Sequence, residues 1–301
     1  MNYNSISLWL NLLRWGWQPQ VVVACVVAVV LFASGGKGQA KVSVKPPGRS
    51  TVTKWQALSF YAGIFFLVLA LQSPIDALSE YSFAWHMTQH MIIMLVVPPL
   101  CLAGAPLPRF LATLERFGLK RTDDMADSLR RSICYACNPK VAIPLFIGVL
   151  WISHLPVIYD FSLNNALFHE TEHLVFLAVA LLYWGTVIDI APYRSENSYP
   201  RRIAFLGLGI LACWSLGVVL LFAVGPLYRP YLALPGATLR GLMGDQNLGS
   251  SIMWAPSMIP FDVFLTVYIQ RWLTSLSAAD RVAATDISRA LGTPPSSVAD
   301  S

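Results

Sequence analysis

Apolar positions gather along this chain into seven blocks, near 19–36, 55–73, 83–107, 141–159, 169–189, 202–225 and 249–273. Each is long enough to cross a ~30 Å hydrocarbon layer as a helix rising ~1.5 Å per residue. None alternates with the period of two expected of a membrane β-strand, and interspersed Gly and Pro suit helices packed in a bundle. The pattern predicts an all-α polytopic membrane protein with seven transmembrane helices over residues 1–275. A polar, disordered tail is expected at 276–301, ending in GTPPSSVADS.

Composition agrees: 55% of residues are hydrophobic and 12% charged, where a soluble domain carries about a quarter charged. Between the blocks, Lys and Arg fall almost entirely on one side. The 36–54, 108–140 and 190–201 connections and the chain after the last block hold all of the 21 basic residues except Arg14, Arg229 and Arg240, counting Arg202 and Arg271 at the block edges. Basic loops stay in the cytoplasm, so the N-terminus is expected outside and the C-terminus inside. The net charge of +5 follows from that asymmetry and does not point to nucleic acid. Val21–Ala33 followed by GQA at 38–40 has the outline of a cleaved leader, but cleavage would export the basic 36–54 loop, so the block is read as a span. The 36–54 loop reads as flexible, and the 108–140 connection is helix-compatible in LATLERFGL and DDMADSLRRSI. No long internal repeat is found.

The five cysteines form no disulfide framework. Cys25, Cys101 and Cys213 lie within blocks and read as small buried hydrophobes, and the CYAC at Cys134 and Cys137 has neither a second pair nor a redox-fold context.

The histidines carry the candidate chemistry. The third block opens with AWHMTQHMIIM, placing His86 and His90 in its outer part; WISHLPVIYD puts His154 near the outer end of the fourth; LFHETEHLVFL puts His169 and His173 at the mouth of the fifth. By helical rise His90, His154 and His173 lie roughly 6–10 Å in from the outer edge, at comparable depth. His86/His90 and His169/His173 are each spaced i, i+4, on one helix face. Met87, Met91 and Met94 accompany the first pair, and imidazole with thioether is a donor set that suits copper, Cu(I) above all. Asp245, in GDQNLG ahead of the last block, reads first as a helix cap and second as a further ligand.

HETEH at 169–173 also fits H-E-x-x-H, which would make His169 and His173 zinc ligands and Glu170 the base of an intramembrane metalloprotease. That reading leaves His86, His90 and His154 unused. A haem-binding electron carrier, with imidazoles from facing helices as axial ligands, is the other alternative.

Three segments in order carry a family resemblance: SPIDALSEYSFAWHMTQHMIIMLVVPPLCLAGAP at 73–106, SHLPVIYDFSLNNALFHETEHLVFLAVALLYW at 153–184 and GDQNLGSSIMWAP at 244–256. Together they resemble the CtaG family of membrane-integral cytochrome c oxidase assembly factors, associated with caa-type oxidases. The resemblance spans about residues 72–273, with Ser153 standing where the family pattern leads one to expect Trp. It implies the five histidines as motif positions, with Asp245, Met253 and Trp254 in the last segment. It also implies a role in maturing haem-copper oxidases by handling copper, and lends no support to Glu170. The expectation is therefore a multi-pass protein of a bacterial plasma (inner) membrane, a metallochaperone and not an enzyme. Its expected partners are the lipid bilayer and a haem-copper oxidase subunit or another copper chaperone. Its metal donors would come from His86, His90, His154, His169, His173, Met87, Met91, Met94 and Asp245.

Overall fold

A computed structural model describes residues 15–35, 53–118, 123–189, 197–256 and 258–290. Among them there is no strand. Most of the basic 36–54 loop, part of the 190–201 connection and residues 291–301 of the expected tail lie outside the described residues.

The helices are α1 Pro19–Gly35, α2 Lys54–Gln72, α3 Pro74–Ser79, α4 Phe83–Met91, α5 Val97–Ala103, α6 Pro106–Arg116 and α7 Asp123–Ala136. They continue as α8 Pro139–Ser153, α9 Pro156–Asn164, α10 Ala166–Val187, α11 Tyr199–Leu221, α12 Arg229–Leu232, α13 Leu239–Trp254 and α14 Met258–Ala290. A π-helical turn, Ile92–Val96, joins α4 to α5. Five helical stretches are long and apolar enough to cross a membrane: 54–72, 83–103, 166–187, 199–221 and 239–283. Helices α8 and α9 make a sixth if they are taken as one span bent by 74°, and α1, at 17 residues, is a shorter apolar helix. The chain is thus a multi-pass membrane protein. Val26, Phe65, Leu174, Val219 and Val263 are exposed on these helices, as expected where the surrounding solvent is lipid.

Three departures from the sequence pattern have local causes. The 141–159 block is broken because Pro156 starts a new helix just after His154 closes α8, so this histidine sits at the bend. The last block begins at Leu239, ten residues earlier than its hydropathy suggests, because Thr238 caps α13 by accepting from Gly241 N. Helix α14 runs to Ala290, so residues 276–290 are helical where a disordered tail is expected.

The third span takes its π-helical turn where Pro98 and Pro99 remove two backbone donors. The carbonyl of Met94 would bond residue 98 in an α-helix or residue 99 in a π-helix, and neither has an N–H. Trp184 of α10 replaces the missing donor, its Nε1 lying 3.1 Å from Met94 O. Trp184 is fully buried and stacks on Phe261, with ring centroids 5.2 Å apart, so the same residue ties the π turn to α10 and α14. A second tie sits on α1. A side chain at Gly35 would run into the backbone carbonyl of Arg109, so only Gly lets α6 lie against α1. Arg109 then stacks its guanidinium 4.2 Å from the Phe32 ring centroid, and Thr113 donates to Leu31 O at 2.6 Å.

Candidate metal centre

Helices α4 and α10 run alongside each other from the same end of the bundle, and their first two turns face. Ser82 caps α4 through Trp85 N, and Asn165 caps α10 through Phe168 N. The i, i+4 spacing then lays His86 above His90 on one helix and His169 above His173 on the other. Ring centroids are 4.2 Å apart for His86/His90, 4.3 Å for His169/His173, 5.1 Å for His86/His169 and 5.2 Å for His90/His173. Four imidazoles form one contiguous cluster, walled by Phe176 at 4.7 Å from His90 and Tyr159 at 5.0 Å from His86.

The cluster is buried and its ring nitrogens lack protein partners. His86, His90 and His173 are buried, and neither ring nitrogen of any of them has a hydrogen-bond partner; Nε2 of His169 has none either. His86 faces the Ser79 carbonyl without reaching hydrogen-bond geometry. Each neutral imidazole carries one N–H and one lone pair. A buried polar group left without a partner costs about 1–3 kcal/mol, so four such rings are a standing expense to the fold. A cation that takes the lone pairs offsets it. Ligand nitrogens of His86, His90 and His169 all lie within 4.8 Å of one another. Tetrahedral ligation at ~2.0–2.1 Å needs donor separations of about 3.3 Å, so binding would draw these nitrogens together.

The remaining expected donors are placed elsewhere. His154 packs against Met87, its Nε2 3.3 Å from the sulfur, and its Nδ1 lies 2.7 Å from Leu150 O. Met91 lines an apolar groove of about 140 Å³ with Thr88, Ile92, Leu95, Ile252 and Pro260, around a different side of α4 from the imidazoles. Met94 is buried in the core. Asp245 sits at the N-terminus of α4, where its carboxylate accepts from Ser82 Oγ at 2.7 Å, Phe83 N at 2.6 Å and Ala84 N at 3.4 Å. Both oxygens are occupied by the cap, so Asp245 positions the helix that carries His86 and His90.

Two further residues of GDQNLG serve the same packing. One residue on, Gln246 accepts from Leu227 N at 2.9 Å and donates to Leu220 O at 3.2 Å, tying α13 to the chain between α11 and α12. One turn further, a Cβ at Gly249 would strike the Phe83 ring and reach 3.2 Å from Ala84 Cα, so α13 touches α4 only because this residue has no side chain. Sequence reasoning gives Asp245 its capping role but not its target, 161 to 163 residues away.

Two residues that the sequence does not single out also frame the centre. Glu172 is buried beside His173 in the chain and accepts a short hydrogen bond from Ser162 of α9. Tyr159 stacks on Tyr228 at 3.8 Å and shares a hydrogen bond with Tyr231 at 3.0 Å, closing the cluster from the side of α12. Glu170, the base of the protease reading, is exposed and accepts from Gln20 of α1 at 3.0 Å. Imidazoles in mutual contact leave no slot for a porphyrin between them.

Away from the imidazoles, Cys137 is held protonated, its thiol pushed up to about 11 by burial and secondarily by Cys134. The two cysteines have no histidine or carboxylate that would complete a metal site with them among the described residues.

Residues 38–275 match the family described as cytochrome c oxidase caa3 assembly factor. Two uncharacterized proteins, from Mycobacterium bovis and Mycobacterium tuberculosis, are 24% identical over 274 residues, covering 86% of this chain and 39% of theirs. A third, from Mycobacterium leprae, is 22% identical over 230 residues, covering 71% of this chain and 34% of its own. The chain therefore spans about two-fifths or less of the length of these relatives. No solved structure matches it.

Proposed function

The chain belongs to the cytochrome c oxidase caa3 assembly factor family, and on that premise we propose that it binds copper at the four-imidazole cluster and hands it to a haem-copper oxidase during assembly. The observation that carries this reading is the set of buried, unpartnered ring nitrogens on His86, His90, His169 and His173. Imidazole is a good copper ligand, and neutral donors in a buried, low-dielectric site favour an ion of low charge, so the cargo is taken as Cu(I). The role is transfer without chemical turnover. The cluster sits near the ends of its helices and lacks an anionic ligand, which keeps affinity within reach of a competing acceptor.

The membrane arrangement belongs to the same proposal. Counting α1, the bent α8–α9 pair and the α13–α14 pair as one span each gives seven, with the N-terminus outside and the imidazoles in the outer leaflet of a bacterial plasma membrane. An oxidase subunit or a second copper chaperone would meet the cargo there.

The test is genetic and chemical together. A strain carrying His86→Ala/His169→Ala in place of the native protein should assemble oxidase with normal haem but copper reduced at least tenfold. Full copper in that oxidase, with the variant present in the membrane at native level, would refute the handover.

A further inference from the structure

Beside the cluster, two soft donors face each other with no proton available to join them. His154 Nδ1 lies 2.7 Å from Leu150 O, and the Ser153 hydroxyl, 3.1 Å from the same nitrogen, donates to that carbonyl at 3.0 Å. Since the carbonyl can only accept, Nδ1 must carry the ring proton, which leaves Nε2 of the neutral ring a bare lone pair. Met87 Sδ lies 3.3 Å from that nitrogen, and a thioether has only lone pairs to offer. Both side chains are buried, and Tyr228 fixes the backbone of His154 by donating from its hydroxyl to the His154 carbonyl at 3.2 Å.

We infer that His154 Nε2 and Met87 Sδ form a second, two-donor station for Cu(I), separate from the four-imidazole cluster and next to it. The inference rests on the copper reading above. Two donors 3.3 Å apart subtend an angle of about 100° at an ion held at ~2.0 Å from nitrogen and ~2.3 Å from sulfur, which is an ordinary bite for a copper site. One imidazole and one thioether, both neutral, are a low-affinity, kinetically open set for Cu(I). Met87 follows His86 directly in the chain, and the Tyr159 ring borders both sites, 5.0 Å from His86 and 6.3 Å from His154. An ion can therefore exchange its dative bonds one at a time between cluster and station, with no change of oxidation state. His154 stands at the 74° bend between α8 and α9, which makes it the donor whose helix ends at the site.

The experiment is copper X-ray absorption and anaerobic Cu(I) titration against a chromophoric chelator, on the full chain purified in detergent. Wild type, Met87→Leu and His154→Gln are compared; Leu keeps the volume of Met and removes only the sulfur. The expected result is a copper–sulfur shell near ~2.3 Å in wild type, lost in Met87→Leu, with each variant taking up one Cu(I) fewer than wild type and keeping its nitrogen-bound copper. A wild type whose copper has nitrogen neighbours only, or a sulfur shell that survives in Met87→Leu, overturns the station while leaving the cluster standing. A wild type that takes up no Cu(I) at all overturns the copper reading itself, and the station with it.

Discussion

His86 of α4 and His169 of α10 stack with ring centroids 5.1 Å apart and planes within 28° of parallel, yet no hydrogen bond joins them or leaves either ring's Nε2. Two imidazoles brought together across a helix interface without a bond stabilise the fold little. Their arrangement makes sense as a binding face kept at a cost in stability.

That cost predicts an inversion between stability and binding. His90→Leu, which removes two orphaned nitrogens from a buried position, should leave the metal-free protein as stable as wild type or up to about 1–3 kcal/mol more stable. Thermal unfolding in detergent checks it. Wild type should gain melting temperature on adding Cu(I), and the variant should gain clearly less.

Asp245 acts through the helix it caps. Asp245→Ala strips the acceptor from Phe83 N and Ser82 Oγ and should cost about 1–2 kcal/mol. It should also weaken metal binding several-fold, although the carboxylate touches no imidazole. Gly249→Ala should do the same by pushing α13 off α4. Competition titrations with Cu(I) chelators give the affinities, and melting curves the stability.

Trp184→Phe isolates the π turn. The Met94 carbonyl loses its replacement donor, at about 1–3 kcal/mol, and the smaller ring leaves a gap at a fully buried position that adds a cavity cost. Faster amide hydrogen exchange at Ile92–Val97 than elsewhere in the third span would locate the effect.

Alkylation should separate Cys134 from Cys137. With its thiol pushed up to about 11 by burial, Cys137 is almost wholly protonated at neutral pH, and only the thiolate reacts. Exposed Cys134 should label first with a maleimide. Labelling of Cys137 should be slow at pH 7 and rise about tenfold per pH unit toward 11, as mass spectrometry of quenched samples would show.

Five of the spans, six with the bent pair, and the histidine pairs are legible because each depends on local periodicity. A run of apolar residues reports a membrane helix, and i, i+4 spacing reports a shared face whatever the neighbours are. The partition of the donors was not legible, because it depends on the angle between helices. Met87, Met91 and Met94 look equivalent as a stripe, but one turn of helix separates a sulfur that faces His154 from one that lines a lateral groove and one in the core. The bend at Pro156 is visible as a proline, but not that it sets His154 against Met87, at the side of the other four. Likewise the reach of Asp245 to α4 and the fit of Gly35 against Arg109 rest on contacts between distant segments. No single-chain pattern encodes these.

The most direct measurement is copper content per protein after anaerobic loading with Cu(I) and removal of excess, for wild type and His90→Ala/His173→Ala side by side. The account predicts at least one tightly held copper in wild type, released by a strong Cu(I) chelator, and loss of that ion in the double variant while its helix content is unchanged. Equal copper in both proteins, or none in wild type, would contradict the four-imidazole site.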